Sequence, residues 1–237
     1  MTRTVLILGG SSDIGFQVIK VFLKSNWVVI LQYNKNSNAV KKLKKKYPNN
    51  LFLIKSDFSK KNSINSFIKK IKTFNISSLI NLVGYIDNKS FSNINLNNMI
   101  KCLQINSLAP LLIQKNLAKK MKTNNFGRIL HISSIGVKFG GGTNTFNYSL
   151  SKHLIEFIPS FMKNLVKHNV LTNILRVGVV QTKMMKKIKN KNISQRIKLI
   201  PIGRSAEKVE VANMIHFLSS EKNTYIANEK ITIAGGE

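Results

Sequence analysis

The sequence predicts an α/β fold: one domain over residues 1–237, built on a doubly wound parallel β-sheet with helices on both faces. Three observations predict it. Short runs with no polar face alternate with segments of helical period from end to end, and such strands belong in a sheet covered on both sides. A glycine-rich turn follows the first of these runs directly. The length of 237 residues, with 43% hydrophobic content, suffices for one full-sized core.

Val5–Leu8 reads as a short buried strand and Ile14–Lys24 as a helix with Ile14, Val18, Val21 and Phe22 on one face. Val28–Leu31 is the second strand. Ala39–Lys46 is a helix whose Val40 and Leu43 face inward and whose lysines face solvent. Leu51–Ile54 is the third strand. Ile64–Phe74 is a helix with Ile64, Phe67, Ile68 and Ile71 at helical spacing, and Leu79–Val83 is the fourth strand. Leu96 to Met121 forms a long helix or a broken pair, with Pro110 inside it. Ile129–Ile132 is the fifth strand. Tyr148–Lys167 is a helix that Pro159 kinks. Leu171–Val177 is the sixth strand, Thr182–Leu199 a basic connector, Lys208–Leu218 a helix and Lys230–Ile233 the last strand. No internal repeat or interdomain linker interrupts the pattern.

Composition excludes several classes. One cysteine, Cys102, leaves no internal disulfide and no thiolate metal cage. The histidines His131, His153, His168 and His216 show no ligand spacing, so no catalytic metal is expected. The apolar run Thr4–Leu8 leads straight into glycines, unlike a secretory signal. No apolar run approaches the ~20 residues that span a bilayer. The chain therefore reads as soluble and cytoplasmic, with no membrane partner. Lys+Arg total 38 against 9 Asp+Glu, a formal net charge of +29. Such a field attracts phosphates, nucleic acid and acidic proteins. The lysines are spread with asparagine along the whole chain, and none of their clusters is interleaved with stacking aromatics, so nucleic acid is not the expected partner.

Between the first strand and the first helix runs Gly9-Gly10-Ser11-Ser12-Asp13-Ile14-Gly15. Glycines let a backbone turn tightly and approach a ligand, and the free N–H groups and dipole of the helix then meet an anion. Ser11 and Ser12 add hydroxyl donors, and Asp13 is placed to cap the helix. Further along, Tyr148-Ser149-Leu150-Ser151-Lys152 puts a phenol and an ammonium one turn apart on a single helical face. An ammonium there lowers the phenol pKa from about 10 towards neutrality. That makes Tyr148 a proton donor to a nascent alkoxide, and a base in reverse.

Together these segments resemble the short-chain dehydrogenases/reductases, and 3-oxoacyl-carrier-protein reductases among them. The first loop is similar to Thr-Gly-x-x-x-Gly-x-Gly, with Leu8 for Thr and Asp13 for the middle Gly. Asn81-Leu82-Val83-Gly84 resembles Asn-Asn-Ala-Gly, and Asn106 resembles the family's helix asparagine. Ser133-Ser134 resembles the catalytic-serine segment. Ser134 is favoured, Ser133 being the alternative because the spacing to Tyr148 exceeds the usual one by a residue, placed in the Gly140-Gly141-Gly142 turn. Arg176-Val177-Gly178-Val179-Val180-Gln181-Thr182 resembles Arg-Pro-Gly-x-x-x-Thr, and Pro201-Ile202-Gly203-Arg204 and Ala234-Gly235-Gly236 match the closing segments.

The resemblance implies a Rossmann fold and a nicotinamide coenzyme. It implies coenzyme binding by Gly9, Ser11, Ser12, Asp13, Ile14 and Gly15, by Asp57 and Phe58 at the adenine, by Asn81, Val83 and Gly84, by Tyr148 and Lys152, and by Gly178, Val180 and Thr182. Tyr33 falls where NAD-preferring relatives carry an acid. With no carboxylate in Gln32-Tyr33-Asn34-Lys35-Asn36, and Asn34, Lys35 and Ser12 free to meet a 2′-phosphate, NADPH/NADP is favoured over NADH/NAD. Ser134, Tyr148, Lys152 and Asn106 are the implied catalytic set, with Asn106 holding a relay water. The reaction is reversible reduction of a carbonyl to an alcohol. A substrate lid is implied at about 182–200, with Thr182-Lys183-Met184-Met185-Lys186-Lys187-Ile188-Lys189, Arg196 and Lys198 at the mouth; Val137, Phe139 and Asn144 join the pocket by position. Its lysines favour a phosphorylated, sugar-type or acyl-thioester carbonyl compound. A homo-oligomer, dimer or tetramer, is expected. The alternative is a catalytically weak dinucleotide-binding protein, either a sensor or a basic nucleic-acid binder.

Overall fold

Valine, isoleucine and leucine fill the strand runs, and these runs pair with one another in parallel. The computed structural model describes residues 3–35, 38–188 and 192–237. Among these, the strands are β1 (Thr4–Leu8), β2 (Val28–Tyr33), β3 (Leu51–Lys55), β4 (Ser78–Asn81), β5 (Gly127–Ser134), β6 (Val170–Val177) and β7 (Lys230–Ile233). They form one seven-stranded sheet in the order β3-β2-β1-β4-β5-β6-β7, every pair parallel. The direction of winding reverses between β1 and β4, where Leu8 stands opposite Asn81. Open α/β sheets bind ligands at such a switch point, beyond the carboxyl ends of the strands.

The principal helices are α1 (Asp13–Lys24), α2 (Asn38–Lys46), α3 (Lys61–Ile71), α4 (Leu96–Leu103), α5 (Ala109–Thr123), α6 (Phe146–Leu154), α7 (Ser160–Lys163), α8 (Lys183–Lys186), α9 (Ile193–Lys198) and α10 (Lys208–Leu218). Two cores form, one on each face of the sheet. On the first, Val18, Ile19 and Phe22 of α1 pack with Val211 and Ile215 of α10. The Phe22 ring meets Trp27 and His216 edge-on at 5.1 and 4.8 Å. On the second, Ile64 and Phe67 of α3 pack with Ile113, Leu117 and Met121 of α5. No helix among the described residues is long and apolar enough to cross a membrane.

Three expectations are corrected. The helix expected over Tyr148–Lys167 ends at Leu154, and a second short helix starts after Pro159. A proline bars helical backbone at the residue before it as well as its own N–H bond, so the break lies upstream of the ring instead of forming a kink at it. The long segment after Leu96 is continuous but widens into a π turn at Gln104–Leu108. Pro110 has no N–H for the carbonyl of Asn106 four residues back, which opens the ladder there. The basic connector contains α8 and α9; Asn36, Lys189 and the middle of the expected lid, 189–191, lie outside the described residues.

Candidate active site

β1 ends at Leu8 and the chain turns at Gly9 with φ +69, a left-handed conformation. A Cβ on Gly9 would stand 3.0 Å from the main chain of Leu82 and Val83, and one on Gly15 only 2.5 Å from the Gly10 carbonyl. The loop therefore packs flat against the segment that follows β4 and against itself. Ser12, not Asp13, caps α1: its Oγ accepts the Gly15 N–H at 3.1 Å. The Asp13 carboxylate turns away and accepts the Lys183 N–H at 2.6 Å. The Gly9 N–H donates to Gln32 Oε1 at 2.8 Å, and Gln32 Nε2 donates to the Ser56 carbonyl at 2.7 Å.

A cavity of about 1420 Å³ opens over this loop and runs across the switch point to α6, α8 and α9. Sites for drug-sized ligands hold about 300–1,000 Å³, so there is room for a long ligand and a second molecule. Of the expected residues, Gly9, Ser11, Ser12, Asp13, Ile14, Asn34, Lys35, Asp57, Phe58, Val83, Gly84, Ser134, Tyr148, Lys152, Gly178, Val180 and Thr182 line it. Phe139 and Asn144 also line it, whereas Val137 and Tyr33 do not. Gly15, Asn81 and Asn106 stand behind the wall. Asn81 braces the loop after β4, accepting the Val83 N–H at 3.1 Å, with its amide nitrogen 3.2 Å from His131 Nδ1. Asn106 accepts the Tyr85 N–H at 2.7 Å and donates to the Tyr85 carbonyl and Ser151 Oγ. Burial pushes the Asp57 carboxyl up, but hydrogen bonds from the Ser59 N–H and hydroxyl, with Lys60 and Lys101 nearby, bring it below its ordinary value.

Tyr148 and Ser134 both line the cavity wall, and the Ser134 hydroxyl is near enough to the phenol to favour its ionised form. Ser134 also accepts the Gly136 N–H at 3.1 Å. Ser133 faces the other way, donating to Glu156 Oε1 at 2.7 Å and to the Lys152 carbonyl at 3.2 Å. Lys152 is 2% exposed. Its Nζ donates to the Val83 and Ile132 carbonyls at 2.8 and 2.7 Å, and lies 5.8 Å from the centre of the Tyr148 ring. Burial pushes Lys152 down to about 8. Burial likewise pushes the Tyr148 phenol up to about 12, against the lowering effect of the Ser134 hydroxyl. The expected descent of the phenol towards neutrality is thus corrected. The ammonium is drawn to two carbonyls, and burial disfavours the phenolate.

The glycine turn, the exposed start of α1 with the Ser11 and Ser12 hydroxyls, and a cavity of this length fit a nucleotide diphosphate laid on the helix N-terminus. The profile of the short chain dehydrogenase family matches residues 3–193. The chain belongs to the short-chain dehydrogenase/reductase family. It is 31% identical over 241 residues to the 3-oxoacyl-[acyl-carrier-protein] reductase FabG of Aquifex aeolicus (strain VF5), covering 99% of this chain and 96% of the relative. It is 27% identical to a 3alpha-hydroxysteroid dehydrogenase of Mediterraneibacter gnavus, covering 98% and 96%. Among solved structures, a 3-oxoacyl (acyl-carrier-protein) reductase from Agrobacterium tumefaciens C58 with NADP bound superposes with TM-score 0.87 at 20% identity, over 99% of this chain and 94% of that one. That likeness speaks to the fold.

Within this dehydrogenase/reductase site, some residues escaped the sequence reading. Gln32 ties the glycine loop to the end of β3, and a lone glutamine in the run Val28–Tyr33 was its signal. Glu156, with its side chain 1% exposed, accepts Arg176 Nε and Nη2 at 2.7 and 2.6 Å as well as the Ser133 hydroxyl. It thereby joins β5, β6 and the end of the Tyr148–Lys152 helix. Its signal was an acid inside an apolar stretch of a chain with 9 acids.

Proposed function

We propose that this chain reduces a carbonyl with NADPH, Tyr148 giving the proton, and that its substrate is a 3-oxoacyl thioester borne on an acidic carrier protein. The observation that carries the reading is the placing of Ser134, Tyr148 and Lys152 together on the wall of a cavity continuous with the glycine loop. When bound, a nicotinamide coenzyme supplies the hydride. The glycine loop and the start of α1 hold its diphosphate. Asn34 and Lys35 meet a 2′-phosphate, and the end of β2 lacks a carboxylate to repel it. Tyr148, held near 12, is protonated at neutral pH and so poised to donate. Ser134 donates to the same substrate oxygen as charge develops on it. Lys152 stabilises the tyrosinate once the proton has left. The Asn106 side chain is committed to Tyr85 and Ser151, so the route left to a proton relay at this residue is its main chain.

Lys138, Lys183 and Lys187 at the cavity mouth favour an acidic carrier, and the likeness to the 3-oxoacyl-[acyl-carrier-protein] reductase of Aquifex aeolicus supports the thioester. Residues 182–200 act as the lid. Exposed apolar side chains on α4, α5 and the segment after α6, such as Leu96, Ile100, Leu112, Phe157 and Phe161, support a homo-oligomer. The test is a panel of 3-oxoacyl thioesters, keto-sugars and simple ketones with NADPH and NADH, in the wild type and Tyr148→Phe. Thioester turnover with NADPH that Tyr148→Phe abolishes, coenzyme binding retained, bears the proposal out. Turnover only of keto-sugars rejects the substrate. A second reading, a dinucleotide binder with little turnover, draws on the Lys152 ammonium lying on carbonyls instead of the phenol. Tight NADPH binding with no turnover across the panel would establish it.

A further inference from the structure

We propose that Asp13 is a positioning residue that latches the lid to the glycine loop and, through Met184, sets how readily a ring enters the space in front of Tyr148. Asp13 stands where family members usually carry glycine, and the helix it opens does not use its carboxylate, because Ser12 is the cap. Instead Asp13 Oδ2 accepts the Lys183 N–H at 2.6 Å, joining positions 170 residues apart in sequence. That N–H belongs to the first turn of α8, where helix geometry leaves amides without a partner. Thr182 Oγ1 serves a second one, the Met185 N–H. A carboxylate acceptor is about twice as strong as a neutral one. The contact crosses the cavity mouth, with Asp13 and Lys183 both on its lining.

The residue after the latched amide is Met184. A Cβ built on Gly84 would lie 2.7 Å from Met184 Cε, 3.5 Å from its Sδ and 3.9 Å from Tyr148 Cε2. The end of the methionine side chain therefore rests over the bare Gly84 backbone, beside the Tyr148 ring. Any flat ring presented to Tyr148 from the glycine-loop side has to share that volume. A thioether with three rotatable bonds yields more easily than a β-branched residue, provided the backbone behind it is held. Asp13 is what holds it, and its acidity is tolerated because it faces the amide and not the loop.

The coupling to the coenzyme rests on the NADPH reading; the latch itself does not, so the first measurement uses ligand-free protein. Hydrogen–deuterium exchange of the peptide spanning 182–188 is compared in the wild type, Asp13→Ala, Asp13→Asn and Lys183→Pro. Proline at the first helical position removes the donated N–H where helices tolerate it, which keeps the test open should Asp13→Ala fold poorly. Asp13→Ala is expected to speed lid exchange about tenfold, roughly what one charge-assisted hydrogen bond is worth. Lys183→Pro should reproduce it at the remaining lid amides, and Asp13→Asn, which keeps an acceptor, should stay within about threefold of wild type. Stopped-flow NADPH binding should then show association and dissociation both faster in Asp13→Ala, and association alone faster in Met184→Ala. Unchanged lid exchange in Asp13→Ala, or Asp13→Asn exchanging as fast as Asp13→Ala, overturns the latch. NADPH failing to bind the wild type, with the exchange pattern intact, sinks the coenzyme reading and leaves the latch standing.

Discussion

Glu156→Ala tests whether the helix carrying Tyr148 and Lys152 is held from below. The Glu156 carboxylate takes two hydrogen bonds from Arg176 and one from Ser133, with Lys230 Nζ at 3.8 Å. Truncation leaves the Ser133 hydroxyl only the longer contact to the Lys152 carbonyl at 3.2 Å, and the Arg176 guanidinium without its counter-charge. Removing one partner of a buried pair costs about 3–5 kcal/mol. The Arg176 side chain is 25% exposed and can turn partly to water, which places the expected loss near the lower end, about 3 kcal/mol. For a chain of this size that is a fall of roughly 6–12 °C in Tm. Burial pushes the Glu156 carboxyl up, and the hydrogen bonds from Arg176 and Ser133 with the charges of Arg176 and Lys230 more than offset it, leaving the group below its ordinary 4.5. A depressed carboxyl contributes stability that is full above the unfolded value and is lost as pH falls through the folded one. The wild-type advantage over Glu156→Gln should therefore be flat from about pH 6 to 8 and shrink below about 4.5. Urea unfolding at matched m-values across that range measures it. A loss under about 0.5 kcal/mol for Glu156→Ala, in the range of an ordinary surface change, refutes the reasoning.

Four further outcomes are expected. Ser12→Ala removes the cap of α1 and should cost about 1 kcal/mol in urea unfolding while weakening NADPH binding. Gly9→Ala puts a Cβ at φ +69 and 3.0 Å from the Leu82–Val83 main chain, so a loss of about 2 kcal/mol or more, with coenzyme affinity falling alongside, should appear in calorimetry and titration. Lys152, pushed down to about 8 by burial, loses its charge as pH rises through that value, so turnover that needs the ammonium should decline above about pH 8. The unfolded chain holds that proton up to about 10.5, so this same group makes the fold more stable as pH rises from about 8 to 10.5, a trend Lys152→Met should abolish.

The strands Val5–Leu8 and Val28–Leu31 were legible because nothing polar interrupts them. The ends of helices were less so. Pro159 predicts a kink, yet the helix already ends at Leu154, where the residues themselves carry no breaking signal. α8 and α9 are basic and only four and six residues long, too short for a single pair at helical spacing such as Ile193 and Ile197 to mark a helix. The cavity-lining set was legible because it lies at strand ends and in turns of characteristic composition. What sequence could not carry were contacts chosen by the fold: Gln32 reaching back to Gly9, Glu156 reaching Arg176, and Asp13 reaching a lid amide at the other end of the chain. Asp13 shows the difficulty well. Its position predicted a cap, and Ser12, one residue earlier with extended backbone at φ −72 and ψ 165, had the better geometry for that task.

The Tyr148–Lys152 pair shows why spacing alone misjudges a pKa. Four residues put both side chains on one face, but the charge acts from Nζ, and Nζ is 5.8 Å from the ring centre with two carbonyls at hydrogen-bond distance. Burial then acts on both groups in the same direction, towards neutrality: the phenol up, the ammonium down. A neutral phenol against a weakened ammonium suits reduction, in which the tyrosine must begin with its proton. It does not suit oxidation, in which the tyrosine must begin without it. With pH-dependent rates measured in both directions, the reductive one should hold a plateau up to about pH 8, whereas the oxidative one should keep rising through that pH as the phenolate forms. Identical profiles in the two directions would mean that Tyr148 and Lys152 titrate as the simple pair their spacing implies.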